Sequence, residues 1–361
     1  MSNKKFLIPI VFSVIGLVIL FYPRKPEIFK QRGLKFSRDA KYGNPQAKDQ
    51  DDMCIWVHPL QPQKSLVITA DKVANQLFVY TTTGKLLQSL EYSKPGNIDL
   101  RYNFSLNGEK IDIVTTTTRG TQNRILVFKI DRENFLQRID DGSGEINQNR
   151  RYGRKSFGGT LFHNRQNNKF YFIKTDEDDN EKIEQFEILD NKKKQVTFKK
   201  VRDWDSPGKC EGAVADDERG VIYVCQEKAG IWAFSTDLEK PLQKKMIAPP
   251  TKNESVSLEG IALYKISDEE GYIIVSLQRH SSFCVFDRVT NRFITDFHIR
   301  KVTSTDGLDI TPYSIHPQIE GGLFLCHTTP LPPNFSITAT SWNKIAKKLK
   351  LKYKSTYKIR K

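Results

Sequence analysis

Short apolar runs separated by polar turns fill this chain from about residue 50 onward, and they recur. One element is a short strand with an aromatic in fourth place. It appears as Leu77-Phe78-Val79-Tyr80, Ile125-Leu126-Val127-Phe128, Ile183-Glu184-Gln185-Phe186, Ile231-Trp232-Ala233-Phe234 and Phe283-Cys284-Val285-Phe286. The aromatics stand 48 to 58 residues apart, and a weaker sixth copy lies at 335–338. A second apolar run precedes each copy, at 66–69, 111–115, 170–173, 221–225, 272–276 and 323–326. A third precedes that, at 55–57, 98–100, 160–162, 213–215, 261–263 and 308–310. The run after each aromatic turn supplies a fourth strand, as at 86–90 and 293–297. Four short strands in a period near fifty, six times over, predict an all-β, six-bladed β-propeller. A β-sandwich, the competing architecture, requires no six-fold period.

Ahead of the repeats the pattern changes. Residues 6–22 are apolar apart from Ser13, with Lys4-Lys5 before and Arg24-Lys25 after. This length suits one hydrophobic helix that anchors the chain in a membrane, and also the core of a signal peptide. No small-residue cleavage site follows, so an uncleaved anchor is the expectation, with a secreted product as the alternative. The propeller is then extracytoplasmic. Basic residues on both sides leave the orientation open. The boundaries read as 1–25 anchor or signal, 26–48 polar linker, 49–345 propeller and 346–361 basic tail.

Charge sharpens this division. The net charge of +15 is concentrated at the ends: residues 1–42 carry +7 and 344–361 carry +9, which leaves −1 for everything between. A nearly neutral body argues against a nucleic-acid partner, while basic ends beside an apolar segment suit an anionic lipid surface. The five cysteines, Cys54, Cys210, Cys225, Cys284 and Cys326, lack CxxC spacing and are expected as buried thiols. The six histidines share no spacing. A monomer is expected.

In a propeller the innermost strands start at one face, and the ends of the second strands return to it. Those starts are polar here: Asp51-Asp52, Asn97 and Asp99, Glu211-Gly212, Glu259-Gly260, and Asp306-Gly307 with Asp309 following. The returning ends carry Asp71-Lys72, Arg119, Asp176-Glu177, Gln226-Glu227 and Gln278. Carboxylates brought together are stable when they protonate or bind a cation. A set of oxygen ligands without His or Cys suits Ca²⁺. Lys72 and Arg119 at the same face suit a phosphate anion. The structural alternatives are inter-blade salt bridges and, for the acid-Gly pairs, tight turns entering a strand.

These residues also carry a resemblance. Asp49-Gln50-Asp51-Asp52-Met53-Cys54-Ile55-Trp56-Val57-His58-Pro59 resembles the opening blade of the β-propeller phytases. So do Asn97-Ile98-Asp99-Leu100-Arg101-Tyr102, Cys210-Glu211-Gly212-Ala213-Val214-Ala215, Leu258-Glu259-Gly260 and Thr305-Asp306-Gly307-Leu308-Asp309, in order, over roughly residues 49–345. The resemblance implies a calcium-dependent phosphomonoester hydrolase that releases phosphate from phytate or a related phosphorylated small molecule, by attack of a calcium-activated water. By motif position it implies Asp52, Glu211, Glu227, Glu259 and Asp306 as calcium ligands, with Asp51, Asp99 and Asp309 as further candidates. Lys72, Arg119 and Gln278 would contact substrate, and Lys72, Arg119 and Glu211 would carry catalysis. The chain departs from the pattern at Val73, Phe157, the acidic run from Asp176, Ser257, Thr303-Ser304 and His327-Thr328-Thr329. A non-catalytic calcium-stabilised propeller that binds an anion, and another six-bladed calcium hydrolase such as a lactonase, are the alternatives.

Overall fold

The structure is a computed structural model. It describes residues 33–119, 123–146, 156–176, 182–248, 257–316, 319, 321–332 and 334–354. The expected N-terminal helix lies outside these residues. Among the described residues no helix is long and apolar enough to cross a membrane.

Six separate sheets form the body, antiparallel throughout but for one parallel edge pair. Blade one is Gln50–Trp56, Leu66–Asp71, Gln76–Thr81 and Leu86–Glu91. The innermost strands of blades two to six are Pro95–Leu106, Ser156–Asn164, Cys210–Asp216, Leu258–Lys265 and Leu308–Thr311. Each inner strand packs against the inner strands of both neighbouring blades, which closes the ring. The apolar runs alternate between the two faces of each sheet, so every blade has two faces to bury. Six buried clusters result, one at each seam: Phe78 and Tyr80 meet Leu325 and Ile337 between blades one and six, for example, and Phe104 and Ile113 meet Leu161 and Phe172 between blades two and three. All five cysteines are buried and free, as their apolar surroundings predict.

The closure was not foreseen. The stretch 26–48, read as a polar linker, supplies two strands. Ala40–Gly43 pairs antiparallel with Phe335–Ser341 and becomes the fourth strand of blade six. Leu34–Phe36 pairs parallel with Phe293–Ile299 as a fifth strand of blade five. The physical reason is edge satisfaction: among the described residues no later strand takes the outer hydrogen bonds of Phe335–Ser341, and Ala40–Gly43 provides one. The tail reading is corrected at the other end. Trp342–Leu349 is a helix, and the fully buried Trp342 packs against Tyr264, Tyr272, Phe297 and Phe324 in the seam of blades five and six. Residues 350–354 continue along blade five, where the amides of Lys352 and Lys354 donate to the hydroxyls of Tyr272 and Tyr264.

The inner strands share one irregularity. Near its start each of the first five carries one extra residue against its neighbour, between Gln50 and Asp52, Pro95 and Ile98, Ser156 and Gly159, Cys210 and Ala213, and Leu258 and Ile261. A bulge of this kind bends the strand and re-aims one side chain. Asp51, Glu211 and Glu259 are bulge residues.

Candidate active site at the propeller mouth

Strand register brings the predicted residues to one face. Gln50 pairs with Asp71, Pro95 with Thr118, Cys210 with Gln226, and Leu258 with Leu277. Lys72, Arg119, Glu227 and Gln278, each just beyond one of those partners, therefore stand level with Asp51, Glu211 and Glu259. The glycines after the acids serve close approach, and the tight-turn reading is set aside, because neither Gly212 nor Gly260 adopts a left-handed φ. A Cβ on Gly212 would sit 1.9 Å from the Glu259 carbonyl oxygen, and one on Gly260 2.5 Å from that of Asp306. The amide of Gly260 donates to Asp306 O at 3.1 Å and that of Gly307 to Asp51 O at 2.9 Å. Acid-Gly pairs of successive blades thus interlock around the channel opening.

The acids form two tiers. In the upper tier Asp51 and Glu259 are buried, Asp51 pairs with Lys72 Nζ at 2.8 Å, and Ser257 Oγ donates to Glu259 Oε1 at 2.6 Å. Gln278 Nε2 donates to Asp306 Oδ1. Asp51 Oδ1, Glu259 Oε2 and the neighbouring Thr305 Oγ1 are buried without a hydrogen-bond partner. The lower tier is saturated. Asp52 Oδ2 accepts the Ile98 amide at 2.9 Å, Asp99 Oδ2 the Leu161 amide at 2.8 Å, and Asp309 Oδ2 the Ile55 amide at 2.7 Å. Each carboxylate reaches the inner strand of the next blade, so these three staple the ring. They line a channel cavity of about 380 Å³ below the mouth.

Electrostatics separates the groups further. Burial pushes Asp52 well above the usual carboxylate range. It pushes Asp309 up to about 7. Burial pushes Asp306 up to about 6, with Glu211 and Asp51 adding to it while His327 and Lys72 oppose it. Glu259 is raised by burial and then by the adjacent Glu211 carboxylate. Burial alone would lower the Lys72 ammonium, but Asp51, Glu211 and Asp306 outweigh it and hold it high. These are the marks of an acid cluster with too little positive charge.

Two predicted residues have other engagements. Glu227 pairs with Lys209 at 3.0 Å. Arg119 is buried, and its amide donates to Ser93 O and Lys94 O at 3.3 and 3.2 Å. One group was missed: His327. Its Nδ1 accepts the Asp306 amide at 3.1 Å and its Nε2 lies 3.1 Å from Asp49 Oδ1. The imidazole thus holds the Asp306 loop against the start of blade one. The hints in the sequence were its place at the end of a second strand and its standing among the departures from the family pattern. Two departures, Ser257 and His327, are therefore supports of retained acids.

Among the described residues no group of three or more His, Cys, Asp or Glu side chains forms a ready-made metal cluster. The upper acids converge as neighbours around an opening. Ca²⁺ fits such a set, because it takes six to eight oxygens, carbonyls and waters included, in flexible geometry. The buried, unpartnered oxygens of Asp51 and Glu259 are the specific sign of fit.

Fold and mouth together define a six-bladed β-propeller with an acid-lined opening that calls for cations. Solved structures share the fold. A calcium-binding protein, regucalcin, from Agrobacterium tumefaciens aligns with a TM-score of 0.56 and 8% identity, over 90% of this chain and 99% of that one. A luciferin-regenerating enzyme aligns with 0.52 and 10%, over 82% and 94%. The family itself comes from sequence. The family model described as Phytase matches residues 32–358. The 3-phytase of Bacillus subtilis (strain 168) is 34% identical over 316 residues, 83% of this chain and 81% of that protein. The chain belongs to the phytase family. The match begins at residue 32, where the extra strands begin, and not at 49.

Proposed function

We propose that the chain is a calcium-dependent phosphomonoester hydrolase that releases phosphate from phytate or a closely related polyphosphorylated small molecule. Membership of the phytase family makes it a phosphoric monoester hydrolase of the 3-phytase type. The observation that carries calcium is the upper tier: Asp51, Glu211, Glu259 and Asp306 converge from four blades, and buried carboxylate oxygens lack any donor. Calcium bound there supplies positive charge for phosphoryl oxygens and acidifies a water. The chain's own residues do the rest. Asp51 would be among the residues that hold the cation, and Lys72, held beside Asp51 at the mouth, would present its ammonium to a substrate phosphate. Arg119 stands level with it on blade two and suits a second phosphoryl contact. Gln278 orients Asp306. Asp52, Asp99 and Asp309 serve the site by fixing the inner strands.

The test is phosphate release from phytate by the full-length chain in detergent. Release in millimolar Ca²⁺ that stops in EGTA and returns on recalcification is expected. Equal release in EGTA overturns the calcium reading, and no release from any phosphomonoester overturns the substrate reading. Residues 6–22 are proposed as a membrane anchor that holds the propeller outside the cytoplasm. Release of the chain from membranes by alkaline carbonate without detergent would contradict that. A soluble form must begin ahead of Gly33, since a start at 40 removes one strand and a start at 49 removes both.

A further inference from the structure

A second concentration of charge lies at the outer edge of the seam between blades five and six. Residues 37–41, which link the two N-terminal strands, and the Arg300-Lys301 turn line a pocket of about 270 Å³. It holds four cations, Arg38, Lys41, Arg300 and Lys301, and one acid, Asp39. Asp39 is already satisfied, by Lys344 Nζ at 2.6 Å and the Ser341 amide at 2.9 Å. Among the described residues none of the four cations has an acidic partner.

The geometry is held from several sides. The Phe335 ring carries Arg38 Cζ at 5.4 Å and Lys41 Nζ at 4.8 Å. The Arg300 amide donates to Phe36 O at 2.7 Å, which ties the turn to the first strand. Lys301 adopts φ +63°, a conformation that bulky residues rarely take and that points to a constrained turn. Arg38 Nη1 is buried with no hydrogen-bond partner. A buried, charged donor left unpaired costs more than a neutral one. Like charges gathered about it add to that cost, and an anion removes both.

We propose that this seam pocket binds a phosphate group, with the Arg38 guanidinium as its forked donor and Lys41, Arg300 and Lys301 completing the charge. The shared chemistry is a phosphate group whose negative charge no neighbouring cation of its own offsets, and its two sources are an anionic phospholipid headgroup, which zwitterionic phosphatidylcholine is not, and soluble phosphate. Ten residues separate Tyr22, at the end of the apolar run, from Gly33. They span at most about 35 Å, so an inserted segment, which rests on the anchor reading above, brings the pocket near a bilayer surface. The phosphate site itself depends neither on that nor on the catalytic reading.

Backbone hydrogen exchange on the full-length chain in nanodiscs tests it, in EGTA so that calcium at the mouth does not contribute. Exchange of residues 37–41 and of 300–301 is compared in phosphatidylcholine discs, in phosphatidylglycerol discs, and in phosphatidylcholine discs with millimolar inorganic phosphate. Slowing of tenfold or more in phosphatidylglycerol alone identifies a lipid headgroup, and slowing on adding phosphate identifies the soluble anion. Arg300→Gln, at an exposed position, and Arg38→Gln are expected to return exchange to within twofold of the phosphatidylcholine value, while phytate hydrolysis in Ca²⁺ stays unchanged. No slowing in either arm, or slowing that survives both substitutions, overturns the proposal.

Discussion

The two ends of the central channel use the same residue types to opposite effect. At the far end the acids Asp216, Asp217 and Glu218 each have a cation. Asp217 takes Arg101 at 3.0 Å, Glu218 takes Lys265 at 3.0 Å, and Asp216 is held by Arg288, both members fully buried. At the mouth, acids face acids: Glu211 raises Glu259 and Asp306, and Lys72 is shared among three carboxylates. Matched buried charge is structure, since its cost is met within the chain. Unmatched buried charge is a demand for something from outside. The difference between frame and site is therefore one of pairing rather than composition.

Breaking a pair at the far end has the largest expected effect. Arg288 donates to Asp216 at 2.6 and 2.5 Å, to Glu218 at 3.0 Å and to Ser267 O at 2.7 Å. Arg288→Ala leaves Asp216 buried with only the looser Arg219 guanidinium, 3.9 Å away, as a charged partner, and a loss of about 3–5 kcal/mol is expected. Denaturant unfolding measures it, and turnover per folded molecule stays unchanged. At the mouth the loss falls on activity. Glu211→Ala is expected to lower kcat by about 10²–10³-fold, the scale for removing one preorganised charge-stabilising contact, with stability in EGTA unchanged or improved because Glu259 loses its repelling neighbour. A stability loss like that of Arg288→Ala would erase the distinction between the two ends.

How much was legible follows the same line. Six blades could be read because each repeats a local pattern, and the mouth acids because they recur at one register. The closing strand Ala40–Gly43 could not, since its partner lies about 300 residues away and a four-residue edge strand has almost no pattern of its own. The two tiers could not be separated either. Asp51 and Asp52 are adjacent in sequence, yet a bulge sends one to the opening and the other to the Ile98 amide. His327 depends on Asp49, 278 positions away.

Acidity sharpens the comparison at a smaller scale. Asp306 and Asp309 are raised to about 6 and about 7 in the folded chain, above the ordinary 3.8. Protonation therefore favours the calcium-free fold. That contribution is complete below about pH 4 and is lost as pH rises through 6 to 7, on the order of 3 kcal/mol for Asp306. Calcium competes with the same proton, so its own contribution has the opposite slope. The gain in Tm from millimolar Ca²⁺ is expected to be largest near pH 7.5 and to shrink as pH falls through about 6. A gain independent of pH would place calcium away from Asp306.

The smallest effect falls on the boundary between frame and site. Glu227 belongs by motif position with the calcium ligands, yet it pairs with Lys209 at 3.0 Å, and its amide donates to Lys209 O at 2.9 Å. A carboxylate already matched has little to offer a cation until its partner leaves. Glu227→Gln is accordingly expected to cost less than about tenfold in kcat/KM, under 1.4 kcal/mol, whereas a direct ligand would cost as much as Glu211. Lys209→Met separates the two cases. If Glu227 is frame, freeing it leaves the Ca²⁺ midpoint of activity within about twofold. If Lys209 holds a ligand in check, the midpoint falls clearly, because the loss of one cation adds one unmatched acid to a site that works by having them.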